Sequence, residues 1–251
     1  MRGVLHHLID YVTPEINYTA SDWANDASAK IGEIESRGNI PILVGGTGFY
    51  LRTLRQPIFE SPRTDETLRE KLSMLRTRKG AEHLHKLLQK IDIKTAEKLF
   101  PRDYSRTQRA LEVYFQTGHR LSELQPQHID PPEFAARVKI FALNPPREEL
   151  YKQINERAEK HFESGLVEEV KSLRDSGLRD DTNALGAHGY RRVCEYLRGE
   201  RTLESASEKT KQDVRNYAKR QVSWFKHKDE VIWLSGFGNQ NETQETLWKL
   251  L

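Results

Sequence analysis

Residues 41–51 combine residue types that suit the binding of a phosphate group. A short apolar segment, residues 40–44, is followed by Gly45, Gly46 and Thr47 and then by a helix-like stretch. The glycines let backbone N–H groups approach an oxyanion closely, the threonine hydroxyl is a further donor, and a helix N-terminus carries partial positive charge. The segment therefore predicts a site for a phosphorylated ligand.

The same turn has a second interpretation that needs no ligand. Paired glycines after a parallel strand also permit tight packing between that strand and the next helix. The turn is not a dinucleotide-binding fingerprint, because Leu51 stands where a third glycine belongs, and the 251 residues contain no Gly-Lys-Ser/Thr sequence of a P-loop. Taken alone, the turn leaves packing and phosphate binding equally open.

A first group of basic side chains lies in the middle of the chain. Arg102, Arg106 and Arg109 are spaced four and three residues apart, as on one face of a helix. The planar guanidinium group suits phosphate oxygens, so this spacing is compatible with a nucleic-acid contact. The alternative is pairing along the helix surface, for example between Arg109 and Glu112.

A second group of basic side chains lies near the end of the chain. Lys211, Arg215 and Lys219 recur every four residues and therefore share one helix face. An adjoining apolar face predicts an amphipathic helix that packs on a core. By itself, a solvated basic surface explains this group better than a nucleic-acid contact does.

Composition limits the possible classes of protein. The chain has 31% charged residues and a net charge of +3, and no apolar run reaches the roughly 18 residues that a transmembrane helix needs. Cys194 is the only cysteine, which excludes an intramolecular disulfide and disfavours thiolate zinc sites. We expect a cytoplasmic monomer.

Two helices can be placed from their ends. Thr19 and Asp22 form a capping-box pattern before an apolar stripe that Gly38 closes. A second helix is predicted from about Pro146, with Ala158 among its inward-facing residues.

The strands and helices around the turn predict an α/β fold. Strands are predicted at residues 40–44, 138–143 and 231–234, and residues 63 to roughly 129 show helical periodicity. Alternating strands and helices with phosphate chemistry at a strand end indicate a doubly wound parallel sheet, with its ligand at the carboxyl edge.

Several short sequence motifs occur in the same order as in one enzyme family. They are His6-His7-Leu8-Ile9-Asp10, residues 41–50, Arg109-Ala110-Leu111-Glu112-Val113, Gly189-Tyr190-Arg191 and residues 216–224. In these motifs, which are spread along nearly the whole chain, the sequence resembles the tRNA dimethylallyltransferases. The resemblance implies transfer of a dimethylallyl group from dimethylallyl diphosphate to N6 of adenosine 37, in the tRNA anticodon loop, with release of diphosphate.

The resemblance also implies a fold and a division into domains. It implies a P-loop-NTPase-like, nucleoside-kinase-like α/β core of the nucleotide-binding (ATP-binding) type with an all-helical insertion domain. Residues 1–62 and 131–251 would form the core, and residues 63–130 the tRNA-contacting insertion. In the family a strand, a phosphate loop and a general-base aspartate precede the motif that begins at His6, so the core is expected to be N-terminally incomplete. Mg²⁺ is the implied cofactor, and its main protein ligand belongs to that preceding loop.

The same resemblance assigns roles to individual residues. The implied catalytic residues are Thr47 and Arg191. The implied diphosphate-binding residues are Gly45, Gly46, Lys219 and Arg220. The implied tRNA-binding residues are Arg69, Ser105, Arg106, Thr107, Gln108 and Arg109. His188 and Arg192 depart from the residues usual in the family beside Arg191.

Two other functions stay open at this point. One is a non-catalytic tRNA-binding remnant, because the phosphate loop and the general-base aspartate are not among these residues. The other is an enzyme that prenylates free adenine nucleotides, which the tRNA-contacting arginines disfavour.

Overall fold

The computed structural model describes residues 3–58, 62–125, 129–228 and 230–250. They divide into two compact units, one formed by the described residues of 1–54 and 133–251 and one formed by those of 55–132. In chain order the helices are α1 (Ala20–Ser36), α2 (Gly48–Arg55), α3 (Glu66–Lys79), α4 (Ala81–Ile91), α5 (Ile93–Ala96), α6 (Tyr104–Thr117), α7 (Leu121–Leu124), α8 (Arg147–Glu163), α9 (Leu166–Asp175), α10 (Tyr190–Leu197), α11 (Leu203–Lys226) and α12 (Asn241–Leu250). The strands are β1 (Ile140–Asn144) and β2 (Val231–Ser235), and a short 3-10 helix spans Glu133–Arg137. Within these described ranges, no helix combines the length and apolar character needed to cross a bilayer.

The larger unit is an α/β structure with a small parallel sheet. Strand β1 pairs with β2 in parallel, with Ile140 opposite Val231 and Asn144 opposite Ser235. Parallel strands need a crossover connection, and here helices α8 to α11 lie between them in the chain. The predicted strands at 138–143 and 231–234 are confirmed, with small shifts of their ends. In the described residues the sheet consists of these two strands, so it is smaller than a doubly wound sheet.

The strand predicted at residues 40–44 is wrong. Residues 39–47 have no regular secondary structure, and the side chains of Ile40, Ile42 and Val44 are 84%, 80% and 95% exposed. A strand forms only where its N–H and C=O groups pair with a neighbouring strand and its side chains pack on a surface. The sheet of the described residues does not reach this segment, so its apolar pattern has no partner there.

Helix α1 begins and ends where the sequence predicts. The Asp22 N–H donates to Thr19 Oγ1 at 3.2 Å and the Thr19 N–H donates to Asp22 Oδ2 at 2.9 Å, which completes the capping box. Gly38, just beyond the helix, has a φ of +73° that favours glycine. The buried face of α1 packs against Leu54 of α2, and α2 directly follows the glycine turn.

Helix α11 is the longest element and carries much of the candidate site. Thr202 caps it by accepting a hydrogen bond from the Ser205 N–H at 3.1 Å, and its 24 residues contain no glycine or proline. It packs against α8 and α10. Helices α9 and α10 share a separate cluster of buried residues that includes Val170, Val193 and Cys194.

The smaller unit consists of helices α3 to α7. Its core joins α3, α4 and α6 through Leu72, Leu84, Leu88 and Leu111. His85 is buried in α4, and its Nε2 lies 3.1 Å from the carbonyl oxygens of Ala96 and Leu99. This histidine therefore has a structural role.

Candidate active site

The glycine turn of residues 45–48 rests on one face of helix α11. Thr47 Oγ1 lies 2.8 Å from the hydroxyl oxygen of Tyr217, within hydrogen-bonding distance. A Cβ atom added to Gly46 would overlap the Gln221 side chain, and one added to Gly48 would overlap the Trp224 indole. Residues 217, 221 and 224 are spaced four and three apart and share one helix face.

This contact distinguishes the roles of the three glycines. Gly46 and Gly48 permit close packing, as the ligand-free interpretation of the turn requires, but their partner is α11 rather than the next helix along the chain. Gly45 meets no heavy atom within 4 Å of an added Cβ. A ligand can therefore approach the backbone of Gly45.

A cleft of about 210 Å³ lies between the start of α10 and the neighbouring part of α11. The residues that line it are Gly186, Ala187, His188, Gly189, Arg191, Arg192, Asp213, Asn216 and Arg220. Gly189, the residue before α10, has a φ of +93°, and a side chain there would be strained. The Gly189-Tyr190-Arg191 motif thus places an arginine in the lining of the cleft, and the Arg191 side chain is 67% exposed.

Tyr217 connects the cleft to the turn. Its ring centroid lies 5.1 Å from that of His188, which lines the cleft. The guanidinium carbon of Arg220 lies 5.7 Å from the centroid of the Tyr217 ring. The structure thus brings the predicted residues Thr47, Arg191 and Arg220 into one region, while Tyr217, Gln221 and Trp224 were missed by the sequence prediction. Their four-and-three spacing on one helix face was the available signal.

Arg192 is held by carboxylates although it borders the cleft. Its Nε donates to Asp213 Oδ2 at 2.7 Å and its Nη1 to Glu195 Oε1 at 2.6 Å. Glu195 also accepts from Arg201 Nε at 2.7 Å, and Arg191 Nε lies 3.6 Å away from Glu195. Burial would raise the pKa of Glu195, but its bonds to Arg192 and Arg201 lower the pKa below its ordinary value. Arg192 therefore joins the first turn of α10 to Asp213 of α11. The exposed Arg191 is better placed to bind an anion.

The basic face of α11 divides into two parts. Lys211 Nζ donates to Glu159 of α8 and to Glu208, each at 2.6 Å, and these bonds raise its pKa. Arg215 Nη1 donates to Asn155 Oδ1 of α8 at 2.6 Å. These two residues fasten α11 to α8. The predicted diphosphate-binding residues Lys219 and Arg220 lie farther along the helix and are exposed.

Two of the predicted tRNA-binding arginines in the smaller unit share one buried carboxylate. Arg69 donates to Glu112 through Nε at 3.0 Å and Nη2 at 3.3 Å, and Arg109 Nη1 donates to it at 3.3 Å. Arg109 Nη2 also donates to the Pro62 carbonyl at 2.7 Å. Glu112 is fully buried, and its hydrogen bonds raise the pKa of Arg69. The Arg69 and Arg109 side chains remain 39% and 32% exposed.

The other predicted tRNA-binding residues differ in exposure. Ser105 and Arg106 are exposed, and Arg106 Nε lies 3.5 Å from Asp103 Oδ2. Thr107 and Gln108 are buried. Gln108 Nε2 donates to Glu112 Oε1 and to the Arg69 carbonyl, each at 3.2 Å. In this structure Thr107 and Gln108 lie in the helix packing, and a role for them in binding tRNA stays a prediction.

Comparison with known proteins decides the family. The model of the IPP transferase family matches residues 1–228. The chain belongs to the IPP transferase family.

Individual members of the family are similar over most of the chain. A tRNA dimethylallyltransferase from Geobacter sulfurreducens is 42% identical over 231 residues, which are 92% of this chain and 74% of that protein. One from Thermotoga maritima is 39% identical over 251 residues, or 100% of this chain and 81% of that protein.

Solved structures of family members are similar as well. The crystal structure of the full-length tRNA isopentenylpyrophosphate transferase from Bacillus halodurans matches with a TM-score of 0.65 and 34% sequence identity. The match covers 100% of this chain and 77% of the Bacillus halodurans chain. A eukaryotic dimethylallyltransferase acting on tRNA gives a TM-score of 0.76 at 25% identity and covers 98% of this chain and 64% of that one.

Side chains that ligate metal ions are not clustered in the described residues of this family member. No group of three or more histidine, cysteine, aspartate or glutamate side chains is arranged there to hold a metal ion. Asp213 is the carboxylate that lines the cleft, and it already accepts a hydrogen bond from Arg192. A magnesium ion at the cleft would therefore need ligands in addition to these side chains.

Proposed function

We propose that this chain transfers a dimethylallyl group from dimethylallyl diphosphate to N6 of adenosine 37 in the anticodon loop of tRNA. In this reaction a C–N bond forms at N6, the C–O bond of the donor breaks, diphosphate leaves with the electron pair, and the proton that N6 loses passes to solvent water. The observation that carries the proposal is that Thr47, on the glycine turn, is joined through Tyr217 to a cleft that Arg191 and Arg220 line.

The arginines of the cleft supply charge for the departing diphosphate. Arg191 and Arg220 are exposed and line the cleft, and Lys219 is the exposed neighbour of Arg220. A donor preorganised toward developing charge contributes roughly 10²- to 10³-fold to the rate. Because Arg192 is already bound by two carboxylates, we assign it no such role.

The glycine turn contributes close backbone contact and one hydroxyl. The approach to Gly45 is open, so its backbone can lie against a diphosphate oxygen. Gly46 holds the turn against α11 and acts on the anion through that packing. Thr47, which would lie beside both the diphosphate and the reacting nitrogen, supplies the hydroxyl donor.

The smaller unit supplies contacts to the tRNA backbone. An adenine has to leave its stack to reach an enclosed site, so the RNA on either side of it must be held. Arg106 is 75% exposed, and Arg69 and Arg109 present partly exposed guanidinium groups from fixed positions on Glu112. These three arginines, with Ser105 beside them, are the proposed contacts.

The test compares two arginine variants in prenyl transfer. Purified chain is incubated with unmodified tRNA, dimethylallyl diphosphate and Mg²⁺, and the initial rate is measured for the wild type, Arg191→Ala and Arg37→Ala. Arg191→Ala should lower kcat by roughly 10²-fold or more, because it removes a charged donor to the leaving group. Arg37→Ala is the matched control, since Arg37 pairs with Glu33 on the exposed surface of α1, and it should retain the wild-type rate.

The other candidate functions are separate outcomes of this experiment. Binding of tRNA without any product would identify a non-catalytic tRNA-binding protein, and faster prenylation of a free adenine nucleotide than of tRNA would identify a different substrate. Equal rates for wild type and Arg191→Ala would contradict the role of Arg191.

A further inference from the structure

The hydroxyl of Tyr217 is the group of α11 that meets the Thr47 hydroxyl, with the two oxygens 2.8 Å apart. The Tyr217 ring contacts two further side chains: its centroid lies 5.1 Å from that of the His188 ring and 5.7 Å from the guanidinium carbon of Arg220. One turn and two turns farther along the same face, Gln221 and Trp224 pack against the glycine turn. The position of the Tyr217 hydroxyl relative to the turn is therefore fixed from several sides.

A hydroxyl pair at this distance has a preferred direction. A threonine hydroxyl can donate one hydrogen bond and accept two, and its proton rotates to suit its partners. The tyrosine hydroxyl is the more acidic of the two and hence the better donor. When Tyr217 donates to Thr47 Oγ1, the Thr47 proton points away from α11, and hydrogen bonds in such a chain strengthen one another.

We propose that Tyr217 is a positioning residue for prenyl transfer, and that its hydroxyl donates to Thr47 Oγ1 and directs the Thr47 proton toward the diphosphate. This inference rests on the proposed function, since it concerns the same site. It gives Tyr217 an effect that passes through Thr47. The position of Tyr217 beside His188 and Arg220 depends on its ring alone, so a phenylalanine can keep it.

The test is a double-mutant cycle on the full chain. The variants Tyr217→Phe, Thr47→Ala, Thr47→Ser and the double variant Tyr217→Phe/Thr47→Ala are assayed for kcat and for KM with tRNA and dimethylallyl diphosphate. Loss of one neutral hydrogen bond corresponds to about a tenfold change or less, so Tyr217→Phe should lower kcat ~10-fold while KM for tRNA stays within about twofold.

The two residues should not act independently. Thr47→Ala should lower kcat ~100-fold, and adding Tyr217→Phe should cause no further loss, because the tyrosine acts through the threonine. Thr47→Ser keeps the hydroxyl and should restore most of the rate. Tyr151→Phe, which removes a hydroxyl that accepts from Arg147 Nε on α8, is the matched control and should keep the wild-type kcat.

Two results would overturn the inference while leaving the proposed function standing. One is a Tyr217→Phe variant with the wild-type kcat, and the other is a double variant whose loss equals the product of the two single losses. Both results presuppose a wild type that turns over.

Absence of turnover by the wild type would instead be a failure of the proposed function. The hydroxyl pair is then tested by calorimetric titration with inorganic diphosphate. Thr47→Ala should weaken binding ~10-fold and Tyr217→Phe ~3-fold, with no further loss in the double variant. Equal results for wild type and Tyr217→Phe, including no binding by either, would overturn the inference.

Discussion

Two buried glutamates each gather arginines, and they leave different arginines facing solvent. In the smaller unit, Glu112 binds Arg69 and Arg109, two of the three arginines that the family resemblance assigns to tRNA. In the larger unit, Glu195 binds Arg192 and Arg201 at 2.6 Å and 2.7 Å. Arg191 lies beside that second cluster but is mostly exposed.

The difference shows how a buried carboxylate can serve a surface that binds anions. Where both arginines are bound to the carboxylate, as at Glu112, they are preorganised, but each offers only part of its guanidinium to a phosphate. Where other arginines satisfy the carboxylate, as at Glu195, a neighbouring arginine keeps its charge available. We therefore expect Glu112 to matter most for stability and fixed geometry, and Arg191 to matter most for charge stabilisation at the cleft.

The largest effect should come from Glu112→Ala. It leaves Arg69, Arg109 and Gln108 without their shared acceptor, but the two guanidinium groups stay partly exposed, so the loss should lie at the lower end of the roughly 3–5 kcal/mol of a fully buried ion pair. Denaturant unfolding followed by circular dichroism would measure the loss. Glu82→Ala is the control, since Glu82 lies 3.6 Å from Arg102 on an exposed surface, where removal costs about 0–1 kcal/mol. Equal losses for the two variants would contradict the assigned role of Glu112.

A smaller effect, which depends on pH, is expected for Glu195→Gln. Loss of the charged hydrogen bonds to Arg192 and Arg201 should lower the free energy of unfolding by about 2 kcal/mol at pH 7. Because the folded state lowers the pKa of Glu195, this stability is present above the unfolded pKa of about 4.3 and is lost as the pH falls through the folded value. The free energies of unfolding of wild type and variant should therefore converge in acid. A difference between them that stays constant from pH 7 to pH 3 would contradict the role given to the ionised Glu195.

The smallest effect should come from Arg106→Ala. Arg106 is exposed and its pair with Asp103 is long, at 3.5 Å, so its removal should leave stability unchanged while tRNA affinity falls several-fold. Loss of one phosphate contact should reduce the slope of log affinity against log salt by about 1. Arg78→Ala, another exposed arginine, on α3, is the control. An unchanged slope for Arg106→Ala would remove this residue from the proposed interface.

Local signals in the sequence predicted much of the fold. The capping box of Thr19 and Asp22, the helix after Pro146 and the strands that became β1 and β2 all follow from short-range patterns that the structure confirms. The strand expected at residues 40–44 does not, because strand formation depends on a neighbouring strand, which a local pattern does not specify.

The candidate site shows the same limit at longer range. Arg191 and Arg220 could be predicted from the sequence motifs that contain them, and both line the cleft. The contact between Thr47 and Tyr217 joins residues 170 positions apart, so no local pattern specifies it. The burial of Thr107 and Gln108 likewise depends on how α6 packs, although their neighbours Ser105 and Arg106 on the same helix are exposed.

The most direct test of the proposed function is the identity of the product. Unmodified tRNA is incubated with this chain, dimethylallyl diphosphate and Mg²⁺, then digested to nucleosides and analysed by liquid chromatography with mass spectrometry. We predict N6-dimethylallyladenosine, formed in proportion to the amount of protein and mapping to position 37 when the tRNA is cleaved into fragments. Recovery of tRNA that binds the protein but carries no more of this nucleoside than a sample without protein would contradict the proposed function.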